Sequence, residues 1–184
     1  MMLSLEPGSL VHWEGGFAFV DPRSGELGLR AYYPRNTGSS QLEQKGYSAA
    51  AEVDYHLMRL TLGIAAGAPE IEPEKSFPME YGLEELNGVS FTKGCYVGQE
   101  VTVRMKTRDL VRKCLVPLRI EGPAPPVGTA LQLGDSTAGE LRSVVDTSGL
   151  ALVRTDAMQM ALEKDLPFSA GSARLIPVGP PYGC

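Results

Sequence analysis

Histidine and cysteine are both scarce: His12 and His56 are the two histidines, and Cys95, Cys114 and Cys184 the three cysteines. With so few imidazoles, neither a histidine-based metal centre nor a histidine-dependent catalytic triad is expected. The cysteines are odd in number and show no CxxC or Cys/His spacing. They therefore read as neither a disulfide framework nor a zinc site, and they suit a reducing compartment. No run of about 18 apolar residues exists, so no helix is expected to span a membrane. The N-terminus carries no basic segment followed by an apolar stretch, so no signal peptide is expected and the cytosol is the expected address. Positive charge is also short: 17 Lys and Arg against 22 Asp and Glu give a net charge of −5. That balance argues against direct nucleic-acid binding, which uses a basic face.

What is plentiful is turn chemistry, with 21 glycines and 14 prolines in 184 residues. Many turns and short strands follow, around a core that a chain of this length can bury. Residues 9–20 hold two β-prone runs flanking Gly15-Gly16, a hairpin signal. Asp21-Pro22-Arg23-Ser24-Gly25 is a turn, and Leu27 to Tyr33 resumes a strand pattern. His12 and Trp13 fit a hairpin packing its aromatics better than a ligand site. From Ser48 to Ile64, Ala50, Val53, Leu57, Leu60 and Ile64 recur at helical spacing, closed by Gly67 and Pro69. Glu70 to Glu85 carries six Glu against one Lys and reads as a solvated face.

The chemistry concentrates in Lys93-Gly94-Cys95-Tyr96-Val97-Gly98-Gln99-Glu100. Gly94 and Gly98 permit left-handed or tight backbone turns on either side of a thiol. Lys93 and the amides of a helix starting at Gly98 would both favour the thiolate, the form that attacks electrophiles and binds metals. Such a thiol can titrate well below its free value of about 8.5. The alternative is a small buried hydrophobe. Beyond Gly98, Val101, Val103 and Met105 alternate like a strand, while Val97, Val101 and Met105 fit a helix. On a helix Arg104 and Arg108 would share a face, in a stretch (residues 93–113) with six basic and two acidic residues. From Arg112 onward, six short β-like pieces separated by Gly-Pro turns predict a small antiparallel barrel, with one helical insertion at Asp156–Lys164. Cys114 and Cys184 read as incidental.

The octapeptide resembles the K-G-C-[aromatic]-x-G-Q-E signature of YgfZ-type folate-binding proteins, iron–sulfur assembly and repair factors related to the glycine-cleavage T protein. The segments Asp21-Pro22-Arg23, Leu27-Gly28-Leu29-Arg30, Phe77-Pro78-Met79-Glu80 and Gly149-Leu150-Ala151-Leu152-Val153-Arg154 are similar to further family elements. The resemblance implies a helix after Gly98. It also implies an α+β chain: a partial ferredoxin-like, GcvT-like domain over residues 1–110, then a six-stranded β-barrel over 111–184, with Arg154 inward. The family's chains begin with about a hundred further residues, so this chain is expected to look like a C-terminal portion or a shortened member, with an open sheet edge.

In function, the resemblance implies an assembly factor rather than a turnover enzyme, with links to tRNA modification. Cys95 is the candidate reactive residue, within the motif residues Lys93, Gly94, Tyr96, Gly98, Gln99 and Glu100, and no resident metal is implied. Tetrahydrofolate is the implied cofactor. Glu80 would accept from the pterin, and Arg59 would face the tail carboxylates or lie at the surface. From the charge balance of residues 93–113, Arg104 would stand either on a solvent-facing helix or in an anion-attracting wall beside the thiol that draws a polyglutamate tail or an acidic partner. Iron–sulfur client or carrier proteins are the implied partners. The alternative activity is a tetrahydrofolate-dependent aminomethyltransferase.

Overall fold

A computed structural model describes residues 6–13, 15–36 and 38–179, without the side chains of residues 13, 38 and 39. The chain parts between Asp54 and Tyr55 into two compact units. In the first, β1 (Leu10–Trp13), β2 (Gly16–Val20) and β3 (Leu29–Tyr32) form an antiparallel sheet in that order. The hairpin stands where the sequence puts it. Trp13 pairs with Gly16, and Gly15 turns the chain at φ 80°, a value closed to most side chains. Ser24 caps a 3-10 turn at Gly25–Leu27 by accepting from the Glu26 N–H, so β3 starts two residues later than the pattern suggests. A short helix, α1 (Gly38–Gln44), completes the unit.

Asp21 anchors that turn. It accepts from the Arg23 backbone N–H at 3.0 Å, the Arg23 Nη2 at 2.8 Å and the Arg30 Nε at 2.6 Å. Burial pushes its carboxyl up, but the two arginines outweigh burial and hold it far below the usual carboxylate range.

The unit boundary falls within α2 (Glu52–Thr61). The helix is shorter at both ends than the periodicity predicts. Asp54 accepts from the Ala51 N–H at 3.1 Å and fixes the start there. Gly63, at φ 72°, fixes the end: its N–H donates to the Leu60 carbonyl and that of Ile64 to the Arg59 carbonyl. That pair of bonds is a Schellman stop, placed before Gly67 and Pro69. Of the expected apolar face, Leu60 and Ile64 are buried, whereas Ala50 and Val53 are exposed.

The second unit is built on the barrel. Strands β4 (Lys113–Glu121), β5 (Ala130–Leu133), β6 (Ser136–Val145), β7 (Ser148–Arg154), β8 (Phe168–Ala170) and β9 (Ala173–Pro177) close in the order β4-β7-β6-β5-β8-β9, antiparallel throughout. The expected six-stranded barrel is thus present, with the insertion as α4 (Thr155–Lys164). Cys114, Val116, Leu118, Leu131, Leu141, Val153, Phe168 and Leu175 fill one core, to which α4 adds Met158 and Ala161. On the other face of β4 and β7, Leu115, Leu150 and Leu152 pack with Leu60 of α2 and Tyr81. Burial on both faces explains the unbroken apolar run of β4. Arg154 does not point inward. Its side chain is 51% exposed, and its guanidinium is paired with Asp156.

Candidate functional site

The residues from Ser90 to Gly98 form neither helix nor strand. Gly98 sits at φ 84°, the left-handed region, and α3 (Gln99–Thr107) starts after it. The helical alternative therefore prevails over the β-branched run Val101-Thr102-Val103, because Thr102 and Met105 bury one face. Gln99 folds its side chain back to accept from the Tyr96 N–H at 3.0 Å, and its own N–H donates to the Tyr96 carbonyl at 3.4 Å. These bonds fix the loop end just beyond the thiol. Glu100 lies in the first helical turn, where a carboxylate suits the dipole. Gly94, unlike Gly98, takes no positive φ, so only one of the two glycines is used as expected.

Cys95 is exposed and is the free cysteine among the described residues. The buried reading of this residue is excluded. Cys114 lies fully buried on β4, and Cys184 lies outside the described residues. The Lys93 ammonium stands over the Tyr96 ring, 4.8 Å from its centroid. Lys106 of α3 lies 4.3 Å over the Phe91 ring and is ion-paired with Glu84, which ties the loop's start to the helix. Beside the loop, Gln99, Glu100, Val103, Arg104, Thr107 and Arg108 line an open groove of about 390 Å³. Arg104 of α3 and Arg108, the residue that caps its C-terminus, line the same groove.

The other expected contact residues lie on α2, on the 3-10 turn Pro78–Tyr81 and on α3. Arg59 is neither at the surface nor open to a ligand. It is buried, its Nη1 and Nη2 donate to the two Glu70 carboxylate oxygens at 2.7 and 2.8 Å, and Nη1 also donates to the Ile64 carbonyl at 2.7 Å. The fork that would hold a folate tail is already occupied by a carboxylate. Burial raises the Glu70 carboxyl, but Arg59 and the Ala66 N–H pull harder and leave it below the ordinary range. Glu80, in the 3-10 turn Pro78–Tyr81, is 8% exposed. Burial raises its carboxyl above the ordinary value, against the opposing pull of Lys113, the Phe77 N–H and Arg142. A solvated acidic run from Glu70 to Glu85 is therefore corrected at two positions. Both carboxylates follow or precede apolar neighbours (Pro69, Ile71, Met79, Tyr81), the signal that could have flagged them.

Arg59, Glu80 and Arg104 thus occupy an ion pair, a buried turn and an exposed helix face. The sequence reading also missed the Arg142 contacts with Glu72 and Glu140, at 3.0 and 3.1 Å on the barrel wall. Among the described residues, no cluster of three or more His, Cys, Asp or Glu is placed to hold a metal ion. None of their helices is long and apolar enough to cross a membrane.

Fold and match define the class of the C-terminal part: residues 112–182 match the family model of the CAF17 C-terminal beta-barrel domain. Over more of its length, the chain is similar to iron–sulfur cluster assembly factors of the IBA57 type. It is 35% identical over 145 residues to the mitochondrial IBA57 of Mus musculus, covering 76% of this chain and 40% of that protein. To the Homo sapiens protein it is 38% identical over 111 residues, 58% of this chain and 31% of the relative. To the Neurospora crassa homologue it is 41% identical over 112 residues, 60% and 25% respectively. The chain spans less than half the length of each of these relatives. The similarity is to IBA57-type factors, and the narrower YgfZ-type name is not carried by it. All three relatives are named as mitochondrial, which overturns the cytosolic address.

Proposed function

We propose that the chain serves iron–sulfur cluster assembly or repair, with Cys95 as the residue that meets iron, sulfur or a cluster in transit. One observation carries this reading. The signature thiol is free and exposed at the surface, held beside α3 by the Tyr96–Gln99 bonds, in a chain similar to named iron–sulfur assembly factors. A single thiolate supplies one of the four ligands a [4Fe–4S] cluster uses. The remaining ligands come from a client or carrier protein, or from glutathione. The chain's own part is to present the sulfur at an exposed position.

Tetrahydrofolate rests on the resemblance alone, since Arg59 is already bound to Glu70 and Glu80 is buried, and no step is routed through it. Titrating tetrahydrofolate into the purified chain tests that part separately. The central test compares Cys95→Ala with the wild-type chain for restoring a [4Fe–4S] enzyme in cells lacking the protein. Loss of restoration, with unchanged protein level, is expected. Full restoration by Cys95→Ala reduces the loop to a structural element and removes the reading. Nothing in the site or among the relatives' names favours the aminomethyltransferase alternative.

A further inference from the structure

We infer that the outward face of α3 is the docking surface for an acidic protein, the one that delivers or receives at Cys95. This rests on the function proposed above and adds the partner's chemistry to it. Residues 93–113 hold six basic and two acidic residues in a chain of net charge −5, so this is a local reversal of sign. Most of those cations are not interchangeable. Lys106 is paired with Glu84, and Lys93 is drawn over the Tyr96 ring. Arg104 and Arg108 are exposed and make no ion pair among the described residues. They stand one helical turn apart on the groove of about 390 Å³ whose other lining residues are Gln99, Val103, Thr107 and one carboxylate, Glu100, so that cations outnumber anions there two to one. Thr102 and Met105 hold α3 by its opposite side, so the groove faces outward.

Two guanidinium forks at that separation match carboxylates spaced one turn apart on a partner helix. Apolar surface accompanies them: Val97 is 102% exposed and Val101 53%, the first two residues from the thiol and the second within α3. Unpaired charge beside exposed aliphatic groups suits a steered protein contact, in which the charges raise the encounter rate and apolar contacts hold the complex. A small polyanion would use the arginines and leave both valines idle.

The test uses the full chain and a fluorescent helical peptide carrying glutamates four residues apart with leucines between them. Binding is expected to weaken about tenfold or more in Arg104→Gln/Arg108→Gln, and to fall steeply with added salt. Val101→Ser is expected to weaken it several-fold at every salt concentration. Glutamine keeps the helix propensity of arginine, so loss of α3 is not the cause. Equal affinity of wild type and the double variant overturns the inference. So does arginine-dependent binding of tetrahydrofolate polyglutamate by a chain that ignores the peptide, which would give the groove to a small anion. In cells, Arg104→Glu/Arg108→Glu is expected to slow recovery of the [4Fe–4S] enzyme about tenfold. If that variant is fully active while Cys95→Ala is not, docking at α3 falls and the Cys95 reading stands. If Cys95→Ala is fully active, the Cys95 reading falls and the peptide titration still decides the docking.

Discussion

At the scale of single residues, the buried charges carry the sharpest consequences. Arg59 and Glu70 are both buried and bound in a two-pronged pair. Arg59→Ala leaves the Glu70 carboxylate buried without its cation, which costs on the order of 3–5 kcal/mol. Urea unfolding is expected to show that loss, with a smaller one for Arg59→Met/Glu70→Leu, which removes both charges. Glu70 and Asp21 lie below their ordinary values, so their contribution is complete above the usual carboxylate range and is lost as pH falls through their folded values. Glu80 has the opposite sign. Its folded state binds the proton more tightly, so stability declines as pH rises from its ordinary value of 4.5 through the raised one. Glu80→Gln is therefore expected to melt higher than wild type at pH 7, by roughly 1–3 °C. The difference should vanish near pH 4, and a gain that persists there contradicts the assignment. Asp21 bonding the backbone of its own turn was legible as turn chemistry, whereas the arginine partners of Asp21 and Glu70 and the burial of Glu80 were not. Arg59 meets Glu70 across the turn that follows Gly63, and such a closure is set by tertiary packing that no local spacing encodes.

At the scale of elements, the regular ones were legible and their ends less so. The six barrel strands show in the alternation and in the Gly-Pro punctuation, because a closed antiparallel sheet repeats one local pattern. The ends of α2 depend on Asp54 and Gly63, and the wider apolar spacing from Ala50 to Ile64 hid both. In α3, local β-propensity pointed to a strand, and burial of Thr102 and Met105 overrode it. The barrel also has a tight point that the sequence does not announce. At Gly139, opposite Val153, an added Cβ would lie 2.4 Å from the Leu152 carbonyl oxygen and 2.8 Å from the Val153 Cα. Both are backbone atoms and cannot rotate away. Gly139→Ala is expected to cost about 1–3 kcal/mol or more, read as a lower urea midpoint with an unchanged m-value. Gly128→Ala is no equal control, since its φ of 87° is itself strained for alanine. Gly94→Ala is the better one, with open space and no positive φ, and should leave the midpoint nearly unchanged.

At the scale of the whole molecule, the compact division at Asp54/Tyr55 falls well before the start of β4 at Lys113. The signature loop and α3 therefore belong to the same unit as the barrel. The candidate site was legible as a motif, and the exposure of its sulfur agrees with a working role. The folate contacts were carried by resemblance, and the sequence did not show that packing commits Arg59 to Glu70 and buries Glu80. The function proposed for the chain thus turns on one accessible sulfur. The most direct measurement treats the native protein briefly with iodoacetamide, maps the label by mass spectrometry, and assays the labelled chain for restoring a [4Fe–4S] enzyme in extract from deficient cells. The expected result is rapid label at Cys95, none at the buried Cys114, and restoration lost in proportion to Cys95 label. A chain that stays fully active with Cys95 completely alkylated would contradict it.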